Sequence, residues 1–513
     1  MTEPITMTPP AGSPTTLLGL LNAIPAEQTA LIAPEQNIRL TYGGLRAQVQ
    51  TIAEMMAAAG VHRGDRIGIA LPNGIPSILT FLAASVAGTA APLNPGYKED
   101  EFRFYLEDTT ARVLLLPPDG VDEARKAAGD RIPILTVDMD AAGHVSLRGV
   151  ANSHAVTAPD TEDVALILHT SGSTGRPKRV PLTHANLSIS AGNVARHYAL
   201  GPNDVSLCVM PLFHVHGLVA STLATLATGG TIVVPAKFNP LSFWRIVRDH
   251  KVTWYSAVPT IHQLLLARVE KGAPKPCGAE HLRFIRSCSA SLPPQVMHDL
   301  EEAFGAPVLE AYGMSEAAHQ MASNPLPPAS RLPGSVGHGT DVRISIMDAE
   351  GRHLRSGERG EVVVSGPNVV RGYENNPEAN ASSFVAGWFR TGDQGFLDAN
   401  GYLTLTGRLK EMINRGGEKI SPREIDEVLL AHPAVAEAVC FGVPHRAWGE
   451  EVAAAVTLRP HHAATEPELL AYCKGRLADY KRPKQIHITT AIPRTATGKI
   501  QRRVVAQAFA PAT

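Results

Sequence analysis

Between residues 160 and 312, short β-rich runs alternate with helical stretches. VALILH (164–169), VSLCVM (205–210), TIVVP (231–235), TWYSAV (253–258), LRFIRS (282–287) and PVLEAY (307–312) are the predicted strands. Residues 242–250, 260–271 and 294–304 lie between them and read as amphipathic helices. Strands that recur after a helix predict parallel pairing in a doubly wound sheet. Residues 40–120 follow the same pattern, with RIGIALP and ARVLLLP as strands. After Pro333, short strands and glycine turns (GEVVVSG, GYLTLTG) predict a β-rich subdomain. The pattern changes once more around Gly407-Arg408-Leu409-Lys410. A helix, two apolar strands (AVAEAVCFGV, EVAAAVTLR), a second helix and a further strand then predict a small α+β domain. Its first helix opens on Ser421 as N-cap, Pro422 at the first helical position and Glu424 at the third, the signature of a capping box. The expected class is therefore α/β, with a large N-terminal domain over 1–408 and a small C-terminal domain over 409–513.

Composition narrows the partners. The chain has 513 residues with Lys+Arg 47 against Asp+Glu 48, a net charge of −1, which argues against a strongly basic nucleic-acid binder. Its 19% charged residues fall below the usual quarter, so much of the chain is expected to be buried. The five cysteines are odd in number and contain no CxxC pair, which argues against a disulfide framework or a zinc ribbon and suits a reducing compartment. The first residues lack the basic start and apolar core of a signal peptide, and the last three are not the peroxisomal S-K-L address. Two uncharged runs, 67–97 and 217–236, are interrupted by Pro, Asn and Gly or by threonines and a Gly-Gly pair. They read as buried helix and strand, with no membrane partner implied. Cytoplasmic location is the expectation.

The chemistry sits at strand ends. In parallel α/β sheets, ligands bind beyond the carboxyl ends of the strands. VALILH is followed by TSGSTGRPK (170–178), VSLCVM by PLFHVHG (211–217), LRFIRS by CSASL (288–292), and PVLEAY by GMSEAAH (313–319). If the sheet is parallel, these four loops converge on one pocket. Thr170 to Lys178 offers hydroxyls, two glycines and a lysine, a composition suited to phosphate, although it is not a Walker A loop.

TSGSTGRPK, YGMSE (312–316), TGD (391–393), GRLKEMINRGGEKISP (407–422) and PRTATGKIQRR (493–503) resemble, in order, the successive signatures of the adenylate-forming superfamily. The resemblance implies a two-step reaction. A carboxylate attacks the α-phosphate of Mg-ATP to give an acyl-adenylate and pyrophosphate, and a thiol then displaces AMP. It also implies roles for individual residues. Thr170, Ser171, Gly172, Ser173, Thr174, Gly175 and Lys178 grip the phosphates. Tyr312, with Gly313, Met314 and Ser315, packs on the adenine. Glu316 holds Mg²⁺, Asp393 accepts the ribose hydroxyls with Arg408 nearby, and Lys499 bridges carboxylate and α-phosphate. Lys410 occupies the hinge about which a mobile C-terminal domain turns, bringing Gly416, Gly417 and Lys419 to the pantetheine arm of coenzyme A. No carrier-protein segment follows the C-terminal domain, so a free thiol such as CoA is expected as acceptor.

PLFHVHGL, RFIRSCSASL and EAYGMSEAAHQMASNP closely resemble the oxalate–CoA ligases of plants and yeast. Oxalate is a small dianion whose second carboxylate needs hydrogen-bond donors where a fatty acid would meet apolar walls. The resemblance implies that Ser289 and His319 line the acid pocket with His214 at its mouth. Other readings stay open for the same residues: His214 and His216 gating the thiol channel, His319 supporting Glu316, and Ser289 contacting adenine only. A ligase for another short or medium acid, a nucleotide-binding homologue without ligase activity and a luciferase-like enzyme are the competing functions.

Overall fold

The computed structural model describes residues 16–170, 177–270, 272–494 and 500–509. Four sheets organise them. The first has nine strands, and six of these run parallel at its centre: Thr29–Ala33, Thr231–Val233, Val205–Leu207, Trp254–Ala257, Phe284–Ser287 and Val308–Met314. The second has seven, with a parallel core of Ile134–Met139, Ala111–Leu116, Arg66–Ile69, Thr89–Pro92 and Val164–Thr170. The sequence pattern places VALILH with the strands that follow it. The structure places it instead beside Thr89–Pro92, in the sheet built from residues 66–183. Periodicity identifies a strand but carries no information about its neighbour, which depends on contacts far away in the chain.

Helices lie against both sheets, two of them centrally. Ile75–Ala87 touches strands of each, as does His184–His197. Every residue of the first except Pro76 is buried, which accounts for the uncharged run 67–97 without any membrane. The second apolar run becomes a buried π-helix, His216–Leu223, followed by a short helical extension and the strand Thr231–Val233. Among the described residues, no helix is long and apolar enough to cross a membrane. One continuous apolar core joins the two sheets through these helices.

The third sheet is antiparallel and contains Arg343–Met347, Gly360–Ser365, Trp388–Leu397 and Leu403–Arg408, in accord with the β-rich stretch expected after Pro333. A single 3₁₀ turn, Leu409–Glu411, then leads to the fourth sheet, whose long strands Val435–His445 and Gly449–Leu458 pair antiparallel over a separate apolar core. The helix Pro422–Leu430 begins where expected, but its capping box does not form. Ser421 accepts no cap bond, and its hydroxyl donates to the Thr406 carbonyl on the preceding sheet. Glu424 turns away to an ion pair with Lys481 at 2.8 Å. Tertiary partners on both sides outcompete the local cap.

Candidate active site

Four loops meet although their strands belong to two sheets. Thr170 closes the strand Val164–Thr170 and pairs in register with Lys178, the first residue of the returning strand Lys178–Thr183. The Thr170 hydroxyl lies 3.4 Å from Glu316 Oε1, so the end of the seven-stranded sheet abuts the turn that follows Val308–Met314 in the nine-stranded sheet. Ser171, Gly172, Ser173, Thr174 and Gly175 lie outside the described residues, as does Lys499. Arg494 and Ile500, on either side of the latter segment, form an antiparallel bridge.

Glu316 is buried at 5% exposure and accepts a hydrogen bond from the Tyr373 hydroxyl at 2.8 Å. Burial pushes its carboxyl pKa up, while the Tyr373 hydroxyl and the Lys178 ammonium pull it back toward ionisation. Lys178 stands 4.3 Å above the Tyr373 ring. Burial lowers the Lys178 pKa, Glu316 opposes that, and the charge of Lys410 adds to it. The hinge residue expected from the sequence therefore lies close enough to the phosphate-side lysine for their charges to interact. No local sequence signal singles out Tyr373. It falls between motifs, and an isolated tyrosine reads as core.

Among the described residues, no three His, Cys, Asp or Glu side chains cluster to hold a metal alone. A single buried carboxylate beside a hydroxyl and a lysine suits a hard cation that keeps its waters and takes its remaining ligands from phosphate oxygens.

Tyr312 is 8% exposed and donates its hydroxyl to Asp393 Oδ2, while Arg408 Nε meets Asp393 Oδ1 at 3.0 Å. Asp393 thus sits between a phenol and a guanidinium, at the antiparallel pairing of Asp393 with Arg408. Gly313 is required by proximity: a Cβ there would lie 2.0 Å from the His319 carbonyl oxygen. Met314 and Ser315 follow it at the strand end, half-buried and buried respectively.

On the acid side, Ser289, Ala318 and His319 all have positive φ (72°, 50° and 114°), a sparsely populated conformation for residues with a Cβ. His319 is buried and stacks on His216, with ring centroids 5.3 Å apart. His216 Nδ1 lies 3.0 Å from the Ser289 hydroxyl and His216 Nε2 lies 2.6 Å from the Ser256 hydroxyl. The histidine that joins Ser289 to His319 is thus His216, which opens the π-helix; His214 is half-buried beside Phe213. Gly217 lets this loop close, because a Cβ would fall 2.3 Å from the Pro211 carbonyl oxygen. Behind both rings lies Arg286, fully buried, which in the sequence is an ordinary residue of a strand.

The thiol-side residues stand apart in the fourth sheet. Gly416 and Gly417 form the turn between Ile413–Arg415 and Glu418–Ile420, with φ of 60° and 97°. Such a turn needs positive φ at both central residues, and glycine adopts it without strain. Gly416 donates its amide to the Trp448 carbonyl at 2.8 Å, and a Cβ on it would meet the Trp448 ring at 2.7 Å. Lys419 is exposed on the return strand.

The chain is similar to known proteins over most of its length. The family described as AMP-binding enzyme matches residues 22–374, and the AMP-binding enzyme C-terminal domain matches 424–499. A probable CoA ligase of Humulus lupulus is 47% identical over 510 residues, covering 96% of each chain. An oxalate–CoA ligase of Arabidopsis thaliana is 45% identical over 512 residues, covering 96% of this chain and 98% of that one. The ATP-bound crystal structure of MatB from Rhodopseudomonas palustris superposes with a TM-score of 0.88 at 30% identity, covering 96% of this chain and 99% of that one.

Proposed function

The chain belongs to the AMP-binding enzyme family, and from that premise we propose that it is an ATP-dependent acid–CoA ligase whose acid is oxalate. The observation that carries the acid assignment is the wall of the acyl pocket. Ser289, His216 and His319 form a connected polar surface where a ligase for fatty acids needs apolar side chains. The 45% identical relative named oxalate–CoA ligase supports the same reading.

A carboxylate is a poor acyl electrophile, and conversion to a mixed anhydride with AMP gives it a good leaving group. The task of the protein is to bring two anions together and screen their repulsion. In this proposal Thr170 and Lys178, with Ser171, Gly172, Ser173, Thr174 and Gly175, hold the phosphates, and Lys499 bridges the acid and the α-phosphate. Bound Mg²⁺ supplies charge neutralisation at the phosphates, and Glu316 is its protein ligand, kept in place by Tyr373. Tyr312 backs the adenine, and Asp393, fixed by Tyr312 and Arg408, accepts the ribose hydroxyls. The turn Gly416-Gly417 with Lys419 then receives the pantetheine arm once the C-terminal domain has turned about Lys410. The acceptor is free CoA, and the setting is the cytoplasm, in keeping with five cysteines that form no disulfide.

A panel of carboxylic acids supplied with ATP and CoA, read by AMP formation, tests the assignment. Oxalate is expected to be the fastest substrate. Faster turnover of octanoate would overturn it.

A further inference from the structure

Arg286 is completely buried on the strand Phe284–Ser287, where its hydrogen bonds run to neutral oxygens and ring nitrogens and the Cys288 thiol lies beside it. Its Nε donates to the Tyr198 hydroxyl at 2.9 Å and to Gln320 Oε1 at 3.2 Å. Its Nη1 donates to the Ser256 hydroxyl at 2.8 Å and approaches His216 Nε2 at 3.4 Å. Its Nη2 donates to Gln320 Oε1 at 2.9 Å and to His319 Nε2 at 3.1 Å. Among the described residues, no carboxylate forms an ion pair with it. A guanidinium is always charged, and burying one without a counter-ion is costly. A fold that keeps a desolvated cation facing two imidazoles at the acid pocket is short of one negative charge there.

We propose that Arg286 is the positioning residue that makes the pocket select a dianionic acid. The inference rests on the acid assignment above and adds the source of its selectivity. A ring nitrogen that accepts from a guanidinium carries no proton, so Arg286 leaves Nε2 of His216 and His319 bare and puts their protons on Nδ1. His216 Nδ1–H then donates to the Ser289 oxygen, which turns the Ser289 hydroxyl proton toward the acid. The stacked rings present donors rather than acceptors to the pocket, and the guanidinium behind them lends the surface positive potential. The second carboxylate of oxalate supplies the missing counter-charge across one layer of imidazole. Arg286 need not touch the substrate for this.

Two substitutions separate this role from simple core packing, with oxalate compared against glyoxylate, which has one carboxylate fewer. Gln320→Glu gives Arg286 a carboxylate at the position of its present amide partner. If Arg286 only fills the core, that change leaves selectivity alone. If Arg286 selects the dianion, KM for oxalate rises on the order of 10- to 100-fold while KM for ATP and the melting temperature are maintained. Arg286→Met is expected to lower the oxalate-to-glyoxylate ratio of kcat/KM by a similar factor, and Arg286→Lys to restore part of it. A ratio within about threefold of the wild type in Gln320→Glu, or an equal loss toward ATP and both acids, overturns the proposal, whether or not Arg286→Met folds. The wild-type ratio is read first. A wild type that prefers glyoxylate sinks the oxalate assignment and this inference together, whereas a wild type that prefers oxalate with an unmoved Gln320→Glu ratio sinks the inference alone.

Discussion

The regions proposed to hold the acid and the thiol are built by opposite means. Around Arg286 the side chains are fully desolvated, joined by hydrogen bonds to Tyr198, Ser256, His216, His319 and Gln320, and fixed between strands of a nine-stranded sheet. Around Gly416-Gly417 the sheet is small, the turn is made of glycine, and Trp448 beside it is 47% exposed. The difference matches the two proposed tasks. Discriminating a two-carbon dianion calls for dipoles fixed in advance in a dry site, where electrostatic interactions are strong. Admitting a long flexible thiol calls for a surface that approaches and leaves, which a buried network would obstruct. One strand links the two. Val308–Met314 carries Tyr312 at its end and Glu310 in its middle, and the charges of Arg423 and Glu427 from the helix Pro422–Leu430 reach Glu310.

The largest expected effect separates the two chemical steps. Lys499→Ala should lower acid-dependent pyrophosphate release on the order of 1,000-fold or more while sparing thiolysis of a supplied acyl-adenylate. Pyrophosphate release and thioester formation are measured separately; a variant impaired in neither removes Lys499 from the first step. A smaller effect is expected on the other side. Gly416→Val imposes a β-branched residue at φ of 60° against the Trp448 ring. It should slow thioester formation roughly 10- to 100-fold with pyrophosphate release nearly intact, and equal loss in both half-reactions would mean that the turn serves the fold only.

The seam itself is probed by pH. Burial pushes the Glu310 carboxyl up to about 7, with Arg423 opposing and Glu427 adding to the shift. A folded-state pKa above the unfolded one means that the native protein binds the extra proton. Its contribution is therefore fully present below the unfolded carboxyl pKa of about 4.3 and lost as pH rises through about 7. Glu310→Gln keeps the acceptor that takes the Leu292 amide at 3.0 Å and cannot ionise. Its melting temperature should match the wild type near pH 4 and exceed it at pH 8, by an amount worth at most about 4 kcal/mol. Equal melting curves at both values would place the Glu310 titration in the normal carboxyl range.

Much of the candidate site can be picked out in the sequence because its signals are local. A glycine pair that needs positive φ, a hydroxyl-rich loop before a lysine, and a carboxylate two residues past a strand end are each set within a few residues. The motif order adds specificity that no single motif has. Glu316 meets Thr170 as loops at parallel strand ends should, although their strands belong to two sheets rather than one. Tyr373, Gln320 and Arg286 were not legible. Each is an ordinary residue in a strand or loop until a remote segment gives it a partner: Glu316 for Tyr373, and His216 and His319 for Arg286.

The sequence by itself determined the α/β class, the strand and helix stretches, the family chemistry and the strand-end loops proposed to carry it, because periodicity and backbone preference act within a turn or two of chain. Only the tertiary structure decided that VALILH joins the earlier sheet, that Ser421 abandons its cap for Thr406, that His216 bonds to Ser289, and that a charged arginine lies in the core behind it. Those outcomes depend on which desolvated groups meet across the fold. The balance of desolvation against long-range hydrogen bonding that selects them has no counterpart in any short window of sequence.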